Sequence, residues 1–319
     1  MISEYQYYQK LYNIFIKENQ KLFDECNAHV FSSKIPEPES ETYKKLQSLL
    51  SSIEQKYGFD MRLNYKQLYL WQKTVTSKLD EERMIVAGKL VLFCCLIDNI
   101  LDSPRFSIVA KDKLCEMAGM TFFNSKRQKD SPDFSEINIL AQDVLRFYQD
   151  HPTDIAYPNW KEDLLHAFQS EVYMYRSMLK KREGIPDENL GLLIDKSIKF
   201  EKAAFLTATY GHNTAQSVEV AELLGNVFWL VDDLCDFIED VHAGRKNSLL
   251  FYCVPERGVF TLEQRIEMAY RNMDLATDHL NSVLTRLRAL VSLDMSSFIV
   301  SQIWKWCYNV RKMAEQGHS

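Results

Sequence analysis

Three aspartates, Asp232, Asp236 and Asp240, recur every four residues in an apolar run without proline: Phe228-Trp229-Leu230-Val231-Asp232-Asp233-Leu234-Cys235-Asp236-Phe237-Ile238-Glu239-Asp240. On a helix this spacing puts all three on one face, about one turn apart. Like charges stacked in this way repel. Burying them among Phe, Trp, Leu and Ile costs far more unless a cation neutralises them. Hard divalent cations, which take oxygen ligands, supply the reason such a row can exist.

A second cluster lies upstream. Leu92-Phe93-Cys94-Cys95-Leu96-Ile97-Asp98-Asn99-Ile100-Leu101-Asp102 places Asp98 and Asp102 at i and i+4, with Asn99 beside them, before Ser103-Pro104-Arg105. Pro104 disfavours continuation of a helix. Both acidic pairs therefore sit near the C-terminal ends of apolar helices.

The eight prolines, at 36, 38, 104, 132, 152, 158, 186 and 255, interrupt no strongly periodic stretch. Glycines are few, Asn-Gly hairpins are absent, and no series of short β-branched runs appears. The pattern predicts an all-α chain, with helices at about 3–28, 39–57, 63–76, 80–102, 107–121, 134–150, 158–183, 188–213, 216–241, 262–288 and 293–315. Ser40 and Thr261 are candidate helix starts. The polar segment 122–133 reads as a surface loop rather than a linker, because the helices on either side both look core-facing. One domain over residues 1–319 is expected. Helices 80–102, 188–213 and 216–241 are apolar over much of their circumference, as helices in the middle of a bundle are, and ligand sites in bundles form between such helices.

Composition narrows the function. The 319 residues carry a net charge of −6 with dispersed Lys and Arg, so nothing points to nucleic acid. The seven cysteines show neither a Cys-x-x-Cys pair nor Cys/His metal spacing. Several lie in apolar runs, where thiols act as small hydrophobes, and the natural reading is a reduced, cytoplasmic protein. The N-terminus lacks the layout of a signal peptide, and no membrane span is predicted.

With the two acidic clusters facing each other across a central cavity, Phe93, Phe205 and Phe228 would wall it, and Lys202, Arg105, Arg245 and Lys246 would lie near the helix ends. A greasy pocket capped by carboxylates and cations suits a substrate with a long apolar body and a polyanionic head. Mg²⁺ binds through a few carboxylates plus substrate phosphates. It would act as a Lewis acid on a departing diphosphate, and a water-poor pocket would protect the allylic cation left behind.

The residues carry a resemblance at this point. Glu201-Lys202-Ala203-Ala204-Phe205, the row from Val231 to Asp240 with Gly244 and Lys246 beyond it, and Cys95-Leu96-Ile97-Asp98-Asn99-Ile100-Leu101-Asp102 resemble, in order and separation, the diphosphate-binding helix and the two aspartate-rich motifs of the class I isoprenoid synthases. That superfamily includes trans-prenyl diphosphate synthases and class I terpene synthases. The resemblance implies an all-α bundle with a central cavity and Mg²⁺ held by Asp98, Asp102, Asp232, Asp233 and Asp236. It also implies a prenyl diphosphate substrate held by Lys202, Arg105, Arg176, Arg245 and Lys246.

Alternatives remain open for single residues. Asp233 points about 100° from Asp232 and is either a ligand or a structural acid. Lys202 faces either diphosphate or a neighbouring Glu. Asn99 is a ligand or a helix-end polar group. Two departures set the expected activity: Asn99 stands where elongating synthases usually have a second aspartate, and an N-terminal Gly-Lys-Arg-x-Arg segment is missing. A terpene synthase that cyclises or rearranges one allylic cation is therefore preferred to a chain elongator using isopentenyl diphosphate. A non-catalytic regulatory relative is a third reading, disfavoured because both acidic motifs are kept. Dimers are common in the superfamily, so a homodimer is one of the assemblies to expect.

Overall fold

The computed structural model describes residues 2–32, 41–59, 61, 63, 65–124, 134–151, 154–179, 190–245, 247–254 and 260–316. These are helical, with no strand among the described residues. The helices are α1 (Glu4–Leu11), α2 (Gln20–Ser32), α3 (Glu41–Tyr57), α4 (Tyr65–Val75), α5 (Glu81–Asp102), α6 (Ile108–Asn124), α7 (Ser135–Asp150) and α8 (Trp160–Leu179), followed by α9 (Leu190–Ala208), α10 (Ala215–Ala243), α11 (Leu249–Tyr252), α12 (Leu262–Arg271), α13 (Met273–Leu290), α14 (Leu293–Trp306) and α15 (Tyr308–Gln316). The chain forms two compact units. One comprises Met1–Lys34, Arg176–Ile198 and Glu222–Ser319; the other comprises Ile35–Tyr175 and Lys199–Ala221.

In the second unit α5 is the core helix and packs against α3, α4, α6 and α7. Asp80 starts it by accepting a hydrogen bond from the Arg83 amide at 3.2 Å, and Glu81 and Glu82 follow in the first turn, where the helix dipole favours acids. Leu90, Leu92, Leu96, Ile97, Ile100 and Leu101 are fully buried. Each such side chain contributes about 1.5–3 kcal/mol. The most apolar stretch of α5 is long enough to cross a membrane, with a mean hydropathy of 2.1, against the expectation that no segment qualifies. Yet 72% of it is buried within the protein, as in the core helix of a folded bundle.

In the first unit α14 packs against α2 and α1 against α15, with Phe23 and Trp304 in ring contact at 5.1 Å. The expected helix 3–28 is split. Tyr12–Ile16 forms a π-helical turn between α1 and α2. The expected helix 262–288 breaks at Asn272, whose side-chain amide donates to the Cys253 carbonyl at 2.9 Å. The expected helix 293–315 breaks at Cys307. Thr261 caps α12 in a reciprocal capping box with Gln264, as anticipated, whereas Ser40 lies outside the described residues. α9 stops at Ala208 rather than 213, because buried Asp154 accepts hydrogen bonds from the Gly211 amide and the Asn213 side chain, both at 2.7 Å, and holds the turn.

Where α9 and α10 meet in the first unit, a Cβ on Gly225 would lie 2.6 Å from the Ile198 Cα. Glycine inside a helix costs about 1 kcal/mol relative to alanine. Here it permits backbone-to-backbone contact.

Candidate active site

The first acidic cluster ends α5, in the second unit. Asp98 and Asn99 are half-buried and Asp102 is exposed. The Asn99 side chain donates to the Cys95 carbonyl one turn back at 2.7 Å, so it is spent on its own helix. Ser103 turns extended before Pro104 and stops the helix. Arg105 folds back: its Nη1 donates to the Tyr57 carbonyl at 3.1 Å and its guanidinium lies 6.0 Å from the Phe59 ring. Buried Lys111, which sequence reasoning missed, donates to the Leu101 carbonyl at 2.6 Å and caps the negative end of α5.

Lys202 has an internal partner. Asp163 of α8, nearly buried, pairs with Lys202 at 3.3 Å and with Lys199 at 2.9 Å. Sequence reasoning offered a neighbouring Glu as the alternative partner; the acid that pairs with Lys202 is an aspartate on another helix. Its distance along the chain hides it from any local pattern. One turn-neighbour away, Glu201 accepts a hydrogen bond from the Gln67 side chain at 3.3 Å, and burial pushes its carboxyl up to about 7.

The second cluster lies in the body of α10, in the first unit. Asp232 and Asp236 are half-buried, whereas Val231, Leu234, Cys235, Phe237 and Ile238 are buried. The acidic row is thus the open face of a core helix. Asp233 faces elsewhere. Its Oδ2 accepts from the Trp229 indole at 2.9 Å, from the Ser248 amide at 3.1 Å and from the Ser248 hydroxyl. Burial raises its pKa to about 6. Three donors on one oxygen give this carboxylate a bracing role that ties α10 to the start of α11.

Beyond the row, Gly244 adopts φ +69° and ends the helix. The Arg245 amide donates to the Asp240 carbonyl at 2.7 Å, a wrapped C-terminal turn. That turn brings the Arg245 guanidinium back onto the Asp240 carboxylate at 3.0 Å, and buried Asn247 donates to the other oxygen of Asp240, also at 3.0 Å. Burial raises the Asp240 pKa. Arg245 is thus engaged with Asp240, and Lys246 lies outside the described residues.

The aromatics expected to wall a cavity differ in burial. Phe93 is 2% exposed, and Phe205 is fully buried with its ring 6.0 Å from Trp71. Phe228 is half-buried and packs on Trp306 at 5.9 Å. Arg176 is placed on α8, with its side chain outside the description. The cysteines are free, as expected, and Cys235 and Cys307 approach with their sulfurs 3.7 Å apart.

Among the described residues no three His, Cys, Asp or Glu side chains form a preassembled metal cage. Mg²⁺ seldom uses one: it keeps waters and binds through one or two carboxylates plus phosphate oxygens. Half-open carboxylates one turn apart on α10 fit that mode of binding.

No family model matches the chain, and no curated protein matches it. Solved structures do. The linalool/nerolidol synthase of Streptomyces clavuligerus is 12% identical, with a TM-score of 0.52 over 89% of this chain and 99% of that one. The same enzyme in complex with 2-fluorogeranyl diphosphate gives 13% identity and 0.48 over 89% and 98%. The 2-methylisoborneol synthase of Streptomyces coelicolor A3(2), in complex with Mg²⁺ and geranyl-S-thiolodiphosphate, gives 10% and 0.45 over 88% and 93%. The likeness at 0.52 is one of fold: the chain has the all-α fold of the class I terpene synthases.

Proposed function

We propose, from the premise of that fold, that the chain is a class I terpene synthase: it ionises an allylic prenyl diphosphate and lets the resulting carbocation cyclise or rearrange. The observation that carries this reading is the acidic row of α10, kept half-open on a helix whose other faces are buried. An ordinary core helix has no reason to keep such a row.

Asp232 and Asp236 of α10 would be Mg²⁺ ligands, as would Asp98 and Asp102 of α5. When bound, Mg²⁺ acts as a Lewis acid and stabilises the charge that builds on the departing diphosphate. The protein's own groups do the rest. Asp233 fixes the rotation of α10 through Trp229 and Ser248. Asp240 and Asn247 set the path of the chain that presents Arg245. Lys202, paired with Asp163 beside Lys199, would meet the phosphate oxygens.

The test is incubation of purified protein with C10, C15, C20 and C25 allylic diphosphates, with and without Mg²⁺ and isopentenyl diphosphate. Mg²⁺-dependent release of diphosphate with a hydrocarbon or alcohol product from one substrate alone is expected. Longer diphosphates formed only when isopentenyl diphosphate is added would establish the elongating reading instead. Absence of diphosphate release from all four would overturn both.

A further inference from the structure

Asp163 pairs with two lysines where one would neutralise it. Its carboxylate is divided between them: Oδ1 lies 2.9 Å from the Lys199 ammonium and Oδ2 lies 3.3 Å from that of Lys202. The aspartate stands in the first turn of α8, where the helix dipole favours an acid. Its amide donates to the Asn159 carbonyl at 3.1 Å, so the backbone that carries the carboxylate is held as well.

The two lysines are three residues apart on α9 and therefore neighbours on one face of the helix. Like charges placed so repel. A carboxylate between them relieves the repulsion, and it also sets directions. Lys202 is the deeper of the two, its side chain 12% exposed against 25% for Lys199. A lysine ammonium swings on a flexible four-carbon stem, and ordering that stem at the moment of binding weakens the complex. A partner that orders it beforehand removes the cost.

We propose that Asp163 is a positioning residue for Lys202: it holds the ammonium in place ahead of the phosphate, while Lys199 occupies its other oxygen. This rests on the phosphate role of Lys202 proposed above. A lysine ammonium carries three donors, so a bond to Asp163 is compatible with one to a phosphate oxygen.

The test is the dissociation constant of inorganic diphosphate in the presence of Mg²⁺, measured by calorimetry on the full chain. Asp163→Asn is expected to raise it about 3–10-fold, the cost of ordering one long side chain on binding. Lys202→Met is expected to raise it further, and Asp163→Asn added to Lys202→Met to change nothing more. A mere brace between α8 and α9 would lower the melting temperature and leave that coupling at zero. Asp163→Asn combined with Lys199→Met keeps the net charge of the trio, which guards against loss of the fold. It leaves Lys202 without its guide, and the same 3–10-fold rise, about that of Asp163→Asn alone, is expected. A wild-type constant in either Asp163 variant, tighter binding, or an equal loss with and without Lys202 overturns the inference and leaves the terpene synthase reading in place. Lys202→Met binding as wild type does the same. A wild-type protein that neither binds diphosphate with Mg²⁺ nor releases it from any allylic substrate takes down both.

Discussion

The two acidic motifs are built in opposite ways. On α5 the aspartates come at the end of the helix. Asp102 is exposed, Asn99 has turned back onto Cys95, and the flanking cations are folded away, Arg105 onto the Tyr57 carbonyl and Lys111 onto Leu101. On α10 the aspartates lie inside a helix that runs on to Ala243. Neighbouring groups hold it in rotation: Asp233 is pinned by Trp229 and Ser248, and Asp240 by Arg245 and Asn247. One motif ends its helix, and the other sits inside a helix whose neighbouring acids are braced.

The sharpest way to break this contrast is to remove a carboxylate from each side. Asp232→Ala is expected to lower the rate of diphosphate release by about 10³-fold, and Asp102→Ala by about 10²-fold. Equal losses in steady-state assays would mean that the two motifs share the load, and the contrast would fail.

A second comparison uses the glycines of the same two helices. At Gly225 of α10 an added Cβ meets the Ile198 backbone at 2.6 Å; at Gly88 of α5 it meets the tips of Leu46 and Leu68, at 2.9 and 3.2 Å. Side-chain tips can move and a backbone cannot. Gly225→Ala is expected to lose about 2 kcal/mol net, an overpacking cost of about 3 less about 1 regained in helix propensity. Gly88→Ala should stay within about 1 kcal/mol of wild type. Denaturant midpoints at constant slope decide it.

The smallest effect concerns pH. Burial raises the Glu201 carboxyl from 4.5 to about 7 in the folded chain. The proton is therefore bound more tightly folded than unfolded. The stability this supplies is whole below pH 4.5 and is lost as pH rises through 7. Glu201→Gln should melt like wild type near pH 4 and above it near pH 8, by about 1 kcal/mol once the shift is discounted for the partial exposure of Glu201. A gap that widens towards acid would refute the assignment.

Much of this architecture was legible in the amino-acid order. Helical periodicity, Pro104 after the first acidic pair and Thr261 before its capping glutamine are local signals, and they placed the ends of α5 and the start of α12 close to where they fall. What escaped was set by distant partners. The breaks at Asn272 and Cys307 carry neither proline nor glycine; at Asn272 the cause is the Cys253 carbonyl. The partner of Lys202 lies on another helix, and the bracing role of Asp233 depends on Ser248, beyond the end of α10. Phe93 and Phe205, read as cavity wall, are buried, and apolar character alone does not separate a wall from a filling.

The contact at Gly225 reaches past this one chain. A position where two backbones touch tolerates only the smallest side chain, whatever else drifts around it. Seven residues separate it from Asp232, two helical turns that keep both on nearly the same azimuth. Distant kin whose acidic signatures have blurred beyond recognition by alignment should still betray themselves by a glycine two turns ahead of an aspartate, a fingerprint written in steric room rather than in charge.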